Sequence, residues 1–299
     1  TATPEIWDAF RHESPNLVAT SGERIRHEMA KGFPASPSFG RHLGKSGVLD
    51  ALFPWEQSRT TPAGILDDFS VEEHAYTVSE NFFNTLTDPS SSFPEFTEYF
   101  RDWKENTPIP WHWYLGALLH DIGKPITLKL QEGKRTYPQH PQGGERLVEN
   151  ALSDLALSSR EKKEVLSLIS LHLRVAQISG PTGIPTKKAL RRYFKATGAL
   201  AIPLVLLDLS DAKGYPEPIA SEILDPRHHR IHHHILSAAF REPFISHPTP
   251  FLTGTDLIEM GWNEGPEVGR VLEKLLDAQV EGKVNSESEA RVFVRKHQE

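Results

Sequence analysis

Leu118-Leu119-His120-Asp121-Ile122-Gly123-Lys124-Pro125 is the stretch whose reading decides the fold. An apolar helical run, Trp113 to Leu119, ends in an imidazole and a carboxylate side by side, then stops at a glycine and a proline. On a helix His120 and Asp121 project about 100° apart, too far round for one smooth face, but a metal ion at the helix end can touch both. Gly123 is expected to permit a tight exit, and Lys124 to bring a cation to the same spot. Standing alone, the pair reads as a helix terminus that meets solvent. Its meaning depends on the other histidines.

The composition limits the choices. The chain has 299 residues, 38% of them hydrophobic, with a mean hydropathy of -0.43, enough for one large or two small domains with a sizeable core. No apolar run approaches the roughly 20 residues of a membrane span, the first ten residues lack a signal pattern, and there is no cysteine. A cytoplasmic protein without membrane or disulfides is therefore expected. Any metal has to sit on His, Asp or Glu, a donor set that suits iron, manganese, nickel, zinc or magnesium. The net charge of -7 argues against broad nucleic-acid coating, though not against a local basic groove.

Most of the chain reads as helix. Capping-box spacings occur at Thr20 with Glu23, Ser70 with Glu73, and Ser158 with Glu161. The second opens a helix that carries Val71, His74, Val78, Phe82 and Leu86 at spacings of three and four, so His74 faces the core. The third opens one that places Val165, Ile169 and His172 on a single face. His140 stands at the start of another helix, after Thr127 to Tyr137, a stretch that reads as a short β-hairpin. Asp208 and Asp211 lie three residues apart in an apolar helix, where carboxylates need partners. A basic helix with Lys188, Arg191 and Arg192 is the strongest local candidate for holding phosphates. The histidines at 228, 229, 232, 233 and 234 have no carboxylate or capping context beside them. They are expected on a surface helix, outside any site.

Together, His74, His120, Asp121, His140, His172 and a late Asp are core-directed or helix-terminal groups on successive helices, which is how helical bundles build metal sites. Their order, with Leu118 to Lys124, resembles the HD-domain superfamily of metal-dependent phosphohydrolases. That resemblance implies an all-α bundle in which His74, His120, Asp121 and a final Asp hold one divalent metal while His140 and His172 complete a second. Ser210-Asp211-Ala212-Lys213-Gly214 is similar to the family's closing motif and favours Asp211 over Asp208. Ser21 to Arg26, with Gly47 through Pro54, is similar to the neck of bacterial tRNA nucleotidyltransferases and poly(A) polymerases. Leu252 to Leu257, with Leu276 to Lys283, is similar to their tail.

The expected layout is a neck-like segment at 1–62, an HD domain at 63–240 and a helical tail at 241–299, without the transferase head. The activity implied by the resemblance is hydrolysis of a nucleotide or RNA-end phosphoester by a hydroxide that two metals (Fe, Mn, Ni or Mg) activate. Asp121 is the expected bridge and Lys124 the phosphate partner. The same ligands would also suit a mixed-valent diiron oxygenase. A non-catalytic RNA-binding module is the third reading.

Overall fold

The computed structural model describes residues 3–178 and 184–298. The expected all-α fold is observed. Among the described residues the one sheet is the antiparallel hairpin Lys129–Gln131 with Lys134–Thr136, in which Leu130 faces Arg135.

Helix Val71–Thr87 begins where the Ser70 hydroxyl accepts the Glu73 N–H at 3.1 Å, and His74 is buried on it with Val71, Val78, Phe82 and Leu86. Helix Ser159–Leu171 opens with a complete capping box of Ser158 and Glu161. The box at Thr20 does not form. Thr20 closes the preceding 3-10 turn through its N–H to Leu17, leaving Ser21, without a capping bond, as the N-cap of helix Gly22–Ala35.

Helix Trp111–Leu119 is the central element, and every residue in it is buried. Helices Val71–Thr87 and Ser159–Leu171 both pack against it, and helix His140–Asp154 packs on the latter. Each large apolar side chain buried in this way contributes about 1.5–3 kcal/mol. The centre of the bundle is thus held strongly enough to carry polar groups at its helix ends.

The chain divides by its contacts into two compact units, Thr1–Gln177 with Ile202–His228, and Ile178–Ala201 with His229–Glu299. This differs from boundaries at 62 and 240. The neck-like segment shares the first unit because Phe33 stacks on Trp111 and Tyr114, and Arg26 meets Glu161 at 2.7 Å. The second unit has its own core of Leu252, Leu257, Val271, Leu275, Ala290 and Val294. One helical stretch, 187–212, is long and apolar enough to cross a membrane by length and composition. Most of its window, 78%, is buried inside the protein, as in a core helix. The basic residues of its first half hide this length from a simple reading of the sequence.

Candidate metal centre

His120 is the residue at which helix Trp111–Leu119 ends, where carbonyls lose their intrahelical partners. Its Nδ1 donates to the Ala117 carbonyl at 2.7 Å. His172 occupies the same position after helix Ser159–Leu171 and donates to Ile169 at 2.8 Å. His140, first residue of helix His140–Asp154, donates to Tyr137 at 2.9 Å. In all three rings the bond turns Nε2 to the centre, where it can bind metal once it carries no proton.

Those Nε2 atoms converge on Asp121. Oδ1 lies 3.1 Å from His140 and 3.7 Å from His172, and Oδ2 lies 3.3 Å from His120 and 3.5 Å from His74. Asp211 closes the other side, with Oδ1 2.8 Å from His74 and 3.6 Å from His120. The side chains form two groups, His74, His120, Asp121 and Asp211, and Asp121, His140 and His172, with the donor atoms in each within 4.8 Å of one another. Asp121 belongs to both. Its two oxygens and His120 Nε2 are buried and make no hydrogen bond of acceptable geometry. A carboxylate and imidazoles left in that state suit divalent cations, so the donor set fits a metal centre.

Gly123 is required for a reason other than the expected one. Its φ is -82°, which any residue adopts, but a Cβ there would lie 2.1 Å from the His140 carbonyl oxygen and 2.5 Å from Gly144 N. The missing side chain lets helix His140–Asp154 press against the turn and deliver His140 to Asp121.

Lys124 is buried, with Nζ 2.5 Å from Asp121 Oδ2, 2.7 Å from the Ala63 carbonyl and 3.2 Å from the Tyr215 hydroxyl. Around it, four successive carbonyls accept side-chain donors. Tyr137 Oη holds Pro62 at 2.5 Å, Lys124 holds Ala63, and Arg135 holds Gly64 at 3.1 Å and Ile65 at 2.8 Å while pairing with Asp67.

Burial opposes charge on all the central groups, and their neighbours decide the outcome. The Asp121 and Asp211 carboxylates outweigh burial at His120 and lift it to about 10. Lys124 and His120 hold Asp121 well below the usual carboxylate range, and His120 and His74 do the same for Asp211. At His172 burial prevails, reinforced by the charge on His120, and the pKa falls to about 4. The metal-free centre is thus an array of paired charges.

Asp208 lies apart from this cluster. It meets His228 Nε2 at 2.5 Å, while Asp225 caps the His228 N–H at 2.7 Å. The histidine-rich helix Pro226–Arg241 therefore has the carboxylate and capping context that the sequence did not display. His232 is fully buried rather than on the surface, whereas His229 and His233 are exposed. In the second unit the basic helix Lys187–Thr197 faces carboxylates. Arg191 is buried between Asp277 at 2.5 Å and Glu273 at 3.0 Å, and Lys188 and Arg192 reach Asp277 at 3.2 and 2.9 Å. The carboxylates withdraw Arg191 from the surface, its side chain 3% exposed, while Lys188 and Arg192 remain partly exposed.

Residues 101–213 match the family model for the HD domain. The chain carries an HD domain. The matched segment includes His120, Asp121, His140, His172 and Asp211; His74 precedes it and is brought to the HD centre by helix Val71–Thr87. The chain is 32% identical to the CC-adding tRNA nucleotidyltransferase of Thermus thermophilus over 186 residues, which is 60% of this chain and 38% of that protein. It is 30% identical to the A-adding tRNA nucleotidyltransferase of Deinococcus radiodurans over 184 residues, 60% of this chain and 40% of the relative. The chain thus spans about two fifths of the length of these curated relatives.

Proposed function

We propose that this HD domain is a metal-dependent phosphohydrolase acting on a nucleotide or RNA-end phosphoester. The observation that carries the reading is the pair of buried donor groups joined through Asp121. His74, His120, Asp121 and Asp211 would hold one divalent ion, and Asp121, His140 and His172 a second. Ions so held would lower the pKa of an attacking water and neutralise phosphoryl oxygens. The protein's own share is to aim the Nε2 atoms through the three Nδ1–H···O=C bonds and to place the Lys124 ammonium beside Asp121 for the substrate phosphate. Similarity to enzymes that add CC or A to tRNA supports an RNA-end or nucleotide substrate over other phosphoesters.

Elemental analysis of protein purified without added metal, followed by assay on 2',3'-cyclic phosphates, 2'-nucleotides, dinucleoside polyphosphates and tRNA ends, tests this. Hydrolysis abolished by chelation and restored by one divalent metal is expected. Bound iron with oxygen consumption and no phosphoester cleavage would refute it.

A further inference from the structure

Three of the four metal-facing imidazoles are oriented by a hydrogen bond to a carbonyl three residues back, because all three sit at helix ends. His74 cannot use that device. It lies inside helix Val71–Thr87, where nearby carbonyls are engaged by the helix, and its fully buried Nδ1 has no hydrogen-bond partner among the described residues. In the metal-free protein its Nε2 is hydrogen-bonded to Asp211 Oδ1 at 2.8 Å, a bond that is given up when Nε2 serves a metal, so another contact has to hold the ring there.

We propose that Tyr215 is the positioning residue of His74, its ring replacing the hydrogen bond that orients the other three histidines. The two ring centroids are 4.3 Å apart with 36° between planes, a close tilted stack, and Phe69 meets His74 in an edge arrangement at 6.0 Å and 74°. Two features of the chain put Tyr215 there. The turn after helix Ala201–Ala212, closed by the Gly214 N–H to the Asp211 carbonyl at 2.9 Å, folds the chain back from the ligand Asp211. A Cβ on Gly214 would lie 3.0 Å from His74 Cε1 and 2.5 Å from Val78 Cγ2, so only glycine lets the backbone pass that close. The Tyr215 hydroxyl is directed to the Ala63 carbonyl at 3.2 Å and accepts from Lys124. The sequence did not single out Tyr215, which follows the Ser210 to Gly214 motif directly.

The inference rests on the metal-centre reading, and the test separates the two. Cobalt(II) titrations of the full chain compare wild type, His74→Ala, Tyr215→Phe and Tyr215→Leu, alongside NMR of histidine-labelled, chelated protein. Tyr215→Phe keeps the ring and should titrate as wild type. Tyr215→Leu should reproduce the titration of His74→Ala, with cobalt at that group weakened about tenfold or more. In the chelated protein, relative to Tyr215→Phe, which lacks the same hydroxyl beside Lys124, Tyr215→Leu should move the His74 ring signals alone, leaving those of His120, His140 and His172. Tyr215→Leu titrating as wild type, or Tyr215→Phe matching His74→Ala, overturns the role of the ring while the metal centre stands. If His74→Ala itself leaves cobalt binding unchanged, the ligand assignment fails and the proposal falls with it.

Discussion

Replacing Lys124 with Met tests how the metal-free centre is held together. The substitution keeps the aliphatic stem and nearly conserves volume, so packing changes little. It removes the ammonium that lies 2.5 Å from Asp121 Oδ2, where the carboxylate is 1% exposed. Deleting one partner of a buried ion pair costs about 3–5 kcal/mol. His120, held protonated in the metal-free state and 3.3 Å from the same oxygen, compensates part of the lost charge and puts the expectation near the lower end, about 3 kcal/mol. For a unit of this size that is a drop of roughly 6–12 °C in melting temperature. With divalent metal bound, the ions take over the compensation of Asp121, and the gap between variant and wild type should shrink to about 3 °C or less. Thermal unfolding followed by circular dichroism, in chelator and after reconstitution with manganese, gives both gaps. Equal gaps in the two states, or an unchanged melt in chelator, would refute the reasoning that Lys124 compensates the carboxylate proposed to hold the metals.

Asp121→Ala should abolish turnover and lower metal content while the helical spectrum remains; the exposed pair His229 and His233, both changed to Ala, should lose neither, and elemental analysis distinguishes the two variants. Metal binding should release protons. His120 is lifted to about 10, so at neutral pH its proton must leave before Nε2 can bind, and calorimetry in buffers of different ionisation enthalpy should show about one proton released per protein from this residue. The same shift has a sign for the metal-free protein: its stabilising contribution is complete below about 6.5, the unfolded value, and disappears as the pH rises through about 10, which chelated melts as a function of pH would show. Gly123→Ala should destabilise by about 1–3 kcal/mol and weaken metal, because its Cβ meets the His140 carbonyl at 2.1 Å; denaturant titration with metal analysis reads both.

The candidate ligands legible in the sequence are those whose local setting sends them inward. His74 and His172 share a helical face with apolar residues, and His120 and Asp121 end an apolar helix. What was not legible depends on partners far along the chain. Asp208 and Asp211 look alike locally, and His228, 20 positions on, separates them by engaging Asp208. Arg191 looks like a phosphate ligand until Asp277, 86 positions away, is found beside it. Gly123 was read as a turn glycine because spacing reveals the end of a helix but not the second helix that presses on it.

The grip on Pro62 to Ile65 uses only the loop's carbonyl oxygens, which every amino acid supplies alike. Tyr137, Lys124 and Arg135 therefore fix the path of this loop through its backbone, and along it Ala63 is 1% exposed, a Cβ on Gly64 would lie 3.2 Å from the Tyr215 ring, and Ile65 stands 76% exposed. An exchange at Ile65 alone leaves that clasp, and with it the seat of Lys124 beside Asp121, in place.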